Sequence, residues 1–223
     1  MSSPFPQPEP LLVLDASGPT LFCGVGAEAR WLGTATTVSP ALESLTPTIA
    51  KTLDAASCSL ADIRGFAVCT GPGSILGLRL SVMAVHAWRA LPNWRDTSLW
   101  AYLSLPAAGA VLAAQNELPA RGWLLAPARQ GAWNRWRFPE ARLDVIPGAE
   151  LRNANVPLLQ VPSRKRWNQA ETDCPVRTPD FAVNADWLAT PGLLRPVPRL
   201  EVFAPGGQEY RRWTPERHRA PSS

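Results

Sequence analysis

The sequence predicts an α/β fold made of two related halves, and three observations support that prediction. Segments with strand character are followed by segments with helical spacing, and this order occurs twice along the chain. The run 11–15 is apolar up to its final aspartate, which is typical of a strand buried on both faces. The chain has 223 residues, 46% of them hydrophobic, which is enough for a large core and excludes a mainly disordered protein.

The first half opens with a predicted three-stranded meander. Residues 20–26 and 30–38 are rich in β-branched and aromatic side chains, and a Gly-Ala-Glu-Ala turn separates the second and third strands. Ser39 and Pro40 then predict the start of a helix over 41–56, with the serine as its cap. The apolar residues of this helix recur at spacings of three and four, which places them on one face: Leu42, Leu45, Ile49 and Leu53.

The next predicted strand, 65–70, ends in a glycine-rich loop that leads into a helix reaching about residue 91. Gly71 and Gly73 allow a left-handed backbone, and Ser74 is placed to cap the helix. Such a loop favours a tight turn without a ligand, whereas exposed N–H groups at the helix N-terminus would make it an anion site. Both interpretations stay open on the sequence.

Three better-known glycine motifs are excluded by their spacing. A phosphate-binding P-loop needs a lysine, and none lies near this loop. The dinucleotide-binding fingerprint needs glycine where Leu76 stands, and the hydrolase nucleophile elbow needs glycines where Pro72 and Leu76 stand. The loop therefore predicts none of these enzyme classes.

The helix after the loop is more apolar than one buried face requires. Its charged and imidazole groups lie on one narrow face: Arg79, His86 and Arg89. The rest of its surface is largely apolar: Leu78, Leu80, Val82, Met83, Val85, Trp88 and Leu91. Such a helix is either enclosed within the protein or contacts a partner as well as its own core.

The second half is predicted from a weaker pattern. Its expected elements are, in order, a strand at 98–102, a helix at 105–114, strands at 123–126, 132–138 and 156–161, and a helix at 181–189. The predicted organisation has four parts: a loose tail at 1–10, an N-terminal subdomain at 11–96, a C-terminal subdomain at 97–205 and a tail at 206–223.

Composition narrows the function classes further. The four cysteines are not closely paired, and no basic segment precedes the first apolar stretch, so we expect a reduced, cytoplasmic chain without an export signal. No apolar run approaches the roughly 20 residues of a membrane span. His86 and His218 are too far apart in sequence for the two-histidine helix motif of metalloproteases, and that class is excluded.

The glycine loop and several other segments resemble one protein family. The run 71–79, Gly-Pro-Gly-Ser-Ile-Leu-Gly-Leu-Arg, agrees at seven of nine positions with the Gly-Pro-Gly-Ser-Phe-Thr-Gly-Leu-Arg signature of the TsaB (YeaZ) family. Segments 12–17, 102–105, 128–133 and 209–211 resemble further motifs of that family in the same order. The chain is therefore similar to this family over most of its length, least so between residues 140 and 200.

The resemblance implies an actin-like (ASKHA) fold of two halves, each a mixed sheet flanked by helices. It implies a non-catalytic dimerisation subunit in the bacterial tRNA modification that places threonylcarbamoyl on the adenosine next to the anticodon. In that family the subunit pairs with a TsaD-type catalytic subunit, and a TsaE-type ATPase joins the assembly. We therefore expect no cofactor on this chain alone, ATP and tRNA only at the level of the complex, no membrane contact, and a homodimer as an alternative state of the isolated chain.

The resemblance also assigns roles to residues. The partner interface is expected on the two N-terminal helices, at Leu42, Leu45, Ile49, Leu53, Leu78, Val82, Met83, Val85 and His86, although the sequence does not separate core from interface. The glycine loop is expected to be structural, with anion binding as the alternative: Gly71, Pro72, Gly73, Ser74, Gly77 and Arg79. Asp15 and Ser17 are expected to be the remnant of a degenerate phosphate loop, and Ile75 and Leu76 depart from the family's Phe-Thr pair.

Two other functions remain as alternatives. An actin-like, ATP-dependent phosphotransferase rests on residues 15–18, which resemble a first phosphate loop, and on glycines at 206–207; the lack of an acid after the 65–70 strand argues against it. Direct RNA binding rests on interleaved arginines and tryptophans, a pattern that also fits an ordinary two-faced strand: Arg129, Arg135, Arg137, Arg142, Trp133 and Trp136.

Overall fold

The computed structural model describes residues 9–128, 131–163 and 174–203, and ten strands and three α-helices lie within them. The strands are β1 (Leu11–Asp15), β2 (Leu21–Ala27), β3 (Arg30–Thr37), β4 (Gly65–Gly71), β5 (Ser98–Leu103), β6 (Gly122–Pro127), β7 (Ala132–Phe138), β8 (Arg142–Pro147), β9 (Leu158–Gln160) and β10 (Arg195–Pro196). The helices are α1 (Ala41–Ala55), α2 (Ile75–Arg89) and α3 (Ser104–Ala114). Most of the predicted N-terminal tail, residues 1–8, and the predicted tail at 206–223 lie outside the described residues.

The first sheet has the strand order β10-β5-β4-β1-β2-β3. β1 pairs antiparallel with β2, and β2 pairs antiparallel with β3, which confirms the predicted meander. β4 lies parallel to β1 on its other side, and β5 lies parallel to β4. Every residue of β1 and β4 is buried, as their continuous apolar character predicts for central strands covered on both faces.

The second sheet repeats the opening arrangement of the first. Its order is β8-β7-β6-β9: three antiparallel strands form a second meander, and β9 lies parallel to β6 on the far side. In both sheets the first strand of the meander lies inside the sheet, and the strand that follows the meander in sequence pairs with it in parallel: β4 with β1, and β9 with β6. This repeat confirms the two related halves and the α/β, actin-like architecture.

Three layers of side chains hold the helices to the sheets. α1 and α2 cover one face of the first sheet, where Leu45 and Val85 pack in the same core as Leu14. α3 lies between the sheets: its Ala107 and Val111 belong to the core on the other face of the first sheet, and its Leu105 and Leu112 pack on the second sheet. α3 comes very close to the second sheet, since a Cβ at Gly109 would lie 2.1 Å from the Trp136 ring.

The sheets divide the chain at a different place from the predicted boundary between residues 96 and 97. β5 pairs with β4 in the first sheet, and β10 returns from the C-terminal part to pair with β5. The first sheet therefore contains residues of both predicted subdomains, because hydrogen bonding between strands and not chain order decides its membership.

Three local predictions are corrected by the structure. The helix predicted over 181–189 is wrong: only a 3₁₀ turn forms there, Asp186–Ala189, and its Trp187 fills the core on the face of the first sheet opposite α1 and α2. β8 was not predicted, because charged residues interrupt its apolar pattern. Ser39 does not cap α1, whose cap position is Pro40 without a side-chain hydrogen bond.

Candidate functional site

Asp15 ends β1 and fixes the turn that follows. Its Oδ1 accepts hydrogen bonds from the backbone N–H of Ser17 at 2.8 Å and from the Ser17 hydroxyl at 2.6 Å. The Tyr102 hydroxyl, which comes from β5, donates to the carbonyl of Leu14 at 3.1 Å and lies 3.4 Å from Asp15 Oδ2. Asp15 and Ser17, the two residues predicted as a phosphate-loop remnant, therefore stabilise a turn, and the hydroxyl of the buried Tyr102 lies beside it.

Burial dominates the electrostatics of this carboxyl group. Asp15 is only 3% exposed, and burial raises the pKa of its carboxyl group, while the hydrogen bonds from Ser17 oppose the shift. Burial, with the added effect of the Asp15 charge, also raises the pKa of the Cys23 thiol to about 12 and that of Cys69 well above its usual range. Asp15 has no ion-pair partner among the described residues.

The glycine loop lies directly on the turn after β1. The N–H of Ser74 donates to the carbonyl of Ser17 at 2.8 Å. A Cβ at Gly73 would lie 2.4 Å from the Ser17 carbonyl oxygen, and one at Gly77 would lie 2.3 Å from the Ala16 carbonyl oxygen. The two loops therefore meet backbone to backbone, a contact that only glycine permits at these positions.

The loop then starts α2 as predicted. The Ser74 hydroxyl accepts a hydrogen bond from the N–H of Gly77 at 3.4 Å, and the Ser74 carbonyl accepts one from the N–H of Leu78 at 2.9 Å. The carbonyl of Pro72 accepts a hydrogen bond from the Ser104 hydroxyl, which ties the loop to α3. The hydrogen bonds of Ser74 and Gly77 and the tie to α3 support the structural role of the loop, while the N–H groups of residues 75 and 76, in the first turn of α2, are not part of these bonds.

A cavity of about 740 Å³ opens beside Asp15, between the two halves of the chain. It lies at the carboxyl ends of β1 and β4, where open α/β sheets bind their ligands. Its apolar wall includes Phe22, Val38, Ile75, Val161 and Phe181. Among the described residues its charged lining consists of Asp15 and Asp180, and no lysine, arginine or histidine lines it.

The structure separates the residues predicted for the partner interface. Five of the nine are at most 7% exposed and pack in the cores on the first sheet: Leu45, Ile49, Leu78, Val82 and Val85. The interface prediction is corrected for these five, because side chains sealed against their own sheet do not reach another chain.

The other four predicted interface residues differ in exposure. Leu42 is 69% exposed and Met83 is 65% exposed, while Leu53 and His86 are half-buried. His86 has a buried Nε2 without a hydrogen-bond partner, and burial together with the positive charges of Arg199 and Arg89 lowers its pKa. The surface available to a partner is therefore smaller than the sequence predicted.

Leu76 belongs to this surface and was missed as an interface residue. It is 59% exposed and lies seven residues before Met83, on the side of α2 opposite the core residues, with exposed Arg79 between them. α1 and α2 pack against each other, so the exposed side chains of both helices share one side of the first sheet. We call Leu42, Leu76 and Met83 the helix-pair face. The sequence did not indicate this side of α2, because Leu76 and Met83 are as apolar as the core residues of the same helix.

The arginines of the second sheet are engaged within the chain. Arg135 makes two hydrogen bonds of 2.8 Å to the Asp144 carboxylate, and its guanidinium lies 4.4 Å from the ring centroid of Trp123. Arg137 and Arg142 approach the same carboxylate at 3.2 and 3.8 Å. Their hydrogen bonds and charges lower the pKa of Asp144. This arrangement argues against an RNA-binding surface, because the arginines already pair with a carboxylate of their own chain. β7 is not the two-faced strand with outward arginines that the sequence also allowed, since both of its faces are buried and Arg135 is only 9% exposed. Arg129 lies outside the described residues.

Two further findings concern the described ranges as a whole. No group of three or more His, Cys, Asp or Glu side chains there could hold a metal ion. None of the helices there is long and apolar enough to cross a membrane.

A comparison with known protein families matches the segment that contains α1, the glycine loop and α2. Residues 40–89 match the family model described as TsaD, tRNA N6-adenosine threonylcarbamoyltransferase. The matched stretch includes α1, β4, the glycine loop and α2. No curated protein matches the sequence.

Two solved structures from Pseudomonas aeruginosa resemble the chain over most of its length. YeaZ matches with a TM-score of 0.56 and 19% identity, over 80% of this chain and 88% of that chain. A protein described as uncharacterized with similarity to peptidase YeaZ matches with a TM-score of 0.55 and 21% identity, over the same shares of the two chains. These matches show a common fold and confirm, at that level, the resemblance carried by the glycine loop.

Proposed function

We propose that this chain, a TsaB/YeaZ-like protein in fold, is a non-catalytic partner subunit in the threonylcarbamoylation of the tRNA adenosine next to the anticodon. Its partner is a TsaD-type catalytic subunit, and a TsaE-type ATPase joins the assembly. One observation supports this proposal most directly. Residues 40–89, which match the TsaD family model, contain the two helices whose outer side exposes large apolar side chains.

The helix-pair face has the chemistry of the centre of a protein interface. Leucine and methionine at Leu42, Leu76 and Met83 expose more than half of their surface, where a solvated helix would carry polar residues. Burial of each such side chain in a complex is worth about 1.5–3 kcal/mol before the entropy of association is subtracted. Arg79 lies among them and supplies a charge for the polar rim.

The TsaD-family match also bears on how the partner would fit. Since this chain matches a TsaD-family model over α1 and α2, a TsaD-type subunit carries helices of related spacing. Two such pairs, one from each subunit, pack as a four-helix interface with interdigitating side chains. The same geometry would allow two copies of this chain to pair when the partner is absent.

The cleft supports a non-catalytic role for the isolated chain. A nucleotide triphosphate needs basic side chains or a metal ion beside its phosphates, and the described lining offers only carboxylates as charged groups. Asp15 Oδ1 already accepts two hydrogen bonds from Ser17, and the N–H of Ser74 is bonded to Ser17. We therefore expect no cofactor on this chain alone, and ATP only at the level of the complex.

Pairing is tested by mixing the purified chain with a TsaD-type subunit from the same organism and measuring molar mass by light scattering after gel filtration. We expect a 1:1 complex at micromolar concentration. Met83→Glu should weaken the affinity of the two subunits by about 10–100-fold, because the substitution removes an apolar side chain that the complex would bury and places a charge there.

Val183→Glu is the matched control, since Val183 is equally exposed, at 65%, but follows Phe181 on the other side of the first sheet. It should pair like the wild type. The proposal fails if no complex forms at micromolar concentration, or if both variants pair equally well.

A further inference from the structure

The cavity between the halves lies on the side of the first sheet opposite the helix-pair face. Its floor is formed by Asp15 and Phe22, whose neighbours Tyr102 and Cys69 belong to the core on that side. The helices α1 and α2 pack on the other side. Most of the cavity therefore lies away from the helix-pair face, and the two regions come close at the first turn of α2, where Ile75 lines the cavity and Leu76 belongs to the helix-pair face.

Two phenylalanines form an aromatic wall in this cavity. Phe22 and Phe181 both line it, with ring centroids 5.7 Å apart. Neighbouring aromatic rings support each of them: Trp31 lies 5.3 Å from Phe22, and Trp187 lies 5.2 Å from Phe181. The faces of aromatic rings carry partial negative charge and attract cations.

Among the described residues, the charged groups that line the cavity are both acidic. Asp15 lies deep in it, nearly fully buried, and no basic side chain of the described part pairs with it. Asp180 lies at the exposed rim, where its Oδ1 accepts a hydrogen bond from the N–H of Ala182 at 3.0 Å. A lining of carboxylates and aromatic rings attracts cations and repels anions.

We propose that this cavity binds a small organic cation, whose apolar body packs against Phe22 and Phe181 and whose charged group pairs with Asp15 and Asp180. The volume of about 740 Å³ suits such a ligand, because small-molecule sites typically enclose roughly 300–1,000 Å³. The proposal does not depend on the proposed subunit role, since it concerns the other side of the sheet.

Three probes of the same shape and different charge test the proposal on the full chain: benzamidine, benzamide and benzoate. Their dissociation constants are measured by ligand-observed NMR at one ionic strength. Benzamidine should bind at least about tenfold more tightly than benzamide, because only the cation gains from the carboxylates, and benzoate should bind most weakly. Equal affinities for the three probes, or tightest binding of benzoate, would overturn the proposal.

Two pairs of variants test whether the probes bind in the cavity. Thr36 lines it from the exposed side of β3, next to Phe22 in register, so Thr36→Arg should abolish the preference for benzamidine while Thr36→Gln retains it. Asp180→Asn should lower the ratio of benzamidine to benzamide affinity severalfold. Asp96→Asn changes an exposed acid just before β5, at the opposite end of the sheet, and should leave the ratio unchanged.

The proposal is overturned if Thr36→Arg and Thr36→Gln bind benzamidine alike, or if Asp180→Asn behaves as Asp96→Asn does. Thermal unfolding of each variant shows that a loss of binding is not a loss of folding. Light scattering with a TsaD-type subunit is run on the same samples, so that failure of this proposal and failure of the subunit role are recorded separately.

Discussion

Among the described residues, Asp15 is the one acidic side chain that is buried. Its burial makes the free energy of unfolding depend on pH. Burial raises the pKa of its carboxyl group in the folded protein above the usual value of 3.8. The folded state therefore holds this proton more tightly than the unfolded state does. The resulting stabilisation is fully present below the unfolded pKa and is lost as pH rises through the folded pKa.

Asp15→Asn removes this titration and keeps an Oδ1 acceptor for the two hydrogen bonds from Ser17. The free energy of unfolding, measured by urea denaturation, should fall with rising pH above about 4 more steeply in the wild type than in the variant. At neutral pH the variant should therefore be the more stable protein. Parallel pH profiles of the two proteins would show that Asp15 does not titrate with a raised pKa.

At the residue scale the sequence located part of the candidate site. Asp15 and Ser17 were predicted because an aspartate at the end of a buried strand is a local pattern. Phe181 and Asp180 were not, because they reach the cavity from a segment more than 150 residues away in the chain that has no regular secondary structure. No local pattern indicates such a contact.

The position of α2 depends on the contact between its first turn and the loop after β1. Replacing glycine by alanine within a helix normally stabilises it by up to about 1 kcal/mol. At Gly77 the new Cβ would lie 2.3 Å from the carbonyl oxygen of Ala16, so the helix or the loop must move. We expect Gly77→Ala to lower the free energy of unfolding by about 1–3 kcal/mol, as overpacked sites do.

Gly18→Ala is the matched control for this substitution. The nearest atom to its new Cβ would be the backbone nitrogen of Thr20 at 3.9 Å, an ordinary van der Waals contact. Urea denaturation should show almost no change for this variant. Equal stability of the Gly77→Ala and Gly18→Ala proteins would contradict the assigned packing of α2 on the β1 loop.

At the element scale, the sequence predicted α1, α2 and the first meander closely, since each has a regular apolar spacing between clear turn signals. It did not assign the sides of α2, because hydrophobic periodicity identifies a core face only when the opposite face is polar, and Leu76 and Met83 are as apolar as Val82. The sequence also did not predict which strands pair. β10, for example, has two residues and is recognised as a strand only by its hydrogen bonds to β5.

At the scale of the whole molecule, the first sheet separates two surfaces. One side carries α1, α2 and the helix-pair face, and the other carries α3, the second sheet and the cavity. The subunit role uses the first surface, while a cationic ligand would occupy the second. Substitutions at Met83 and at Asp180 therefore change the two surfaces separately, while the surfaces come close at the first turn of α2, where Ile75 lines the cavity beside Leu76.

The central claim is that the outer side of α1 and α2 is covered by a TsaD-type subunit. The chain has two methionines, Met1 and Met83, so isotope-labelled methionine methyl groups give one NMR probe on the helix-pair face and one reference outside the described residues. On titration with an unlabelled TsaD-type subunit, the Met83 signal should shift or broaden and reach its limit at equimolar ratio. A complex that forms by light scattering while the Met83 signal stays unchanged would contradict the account.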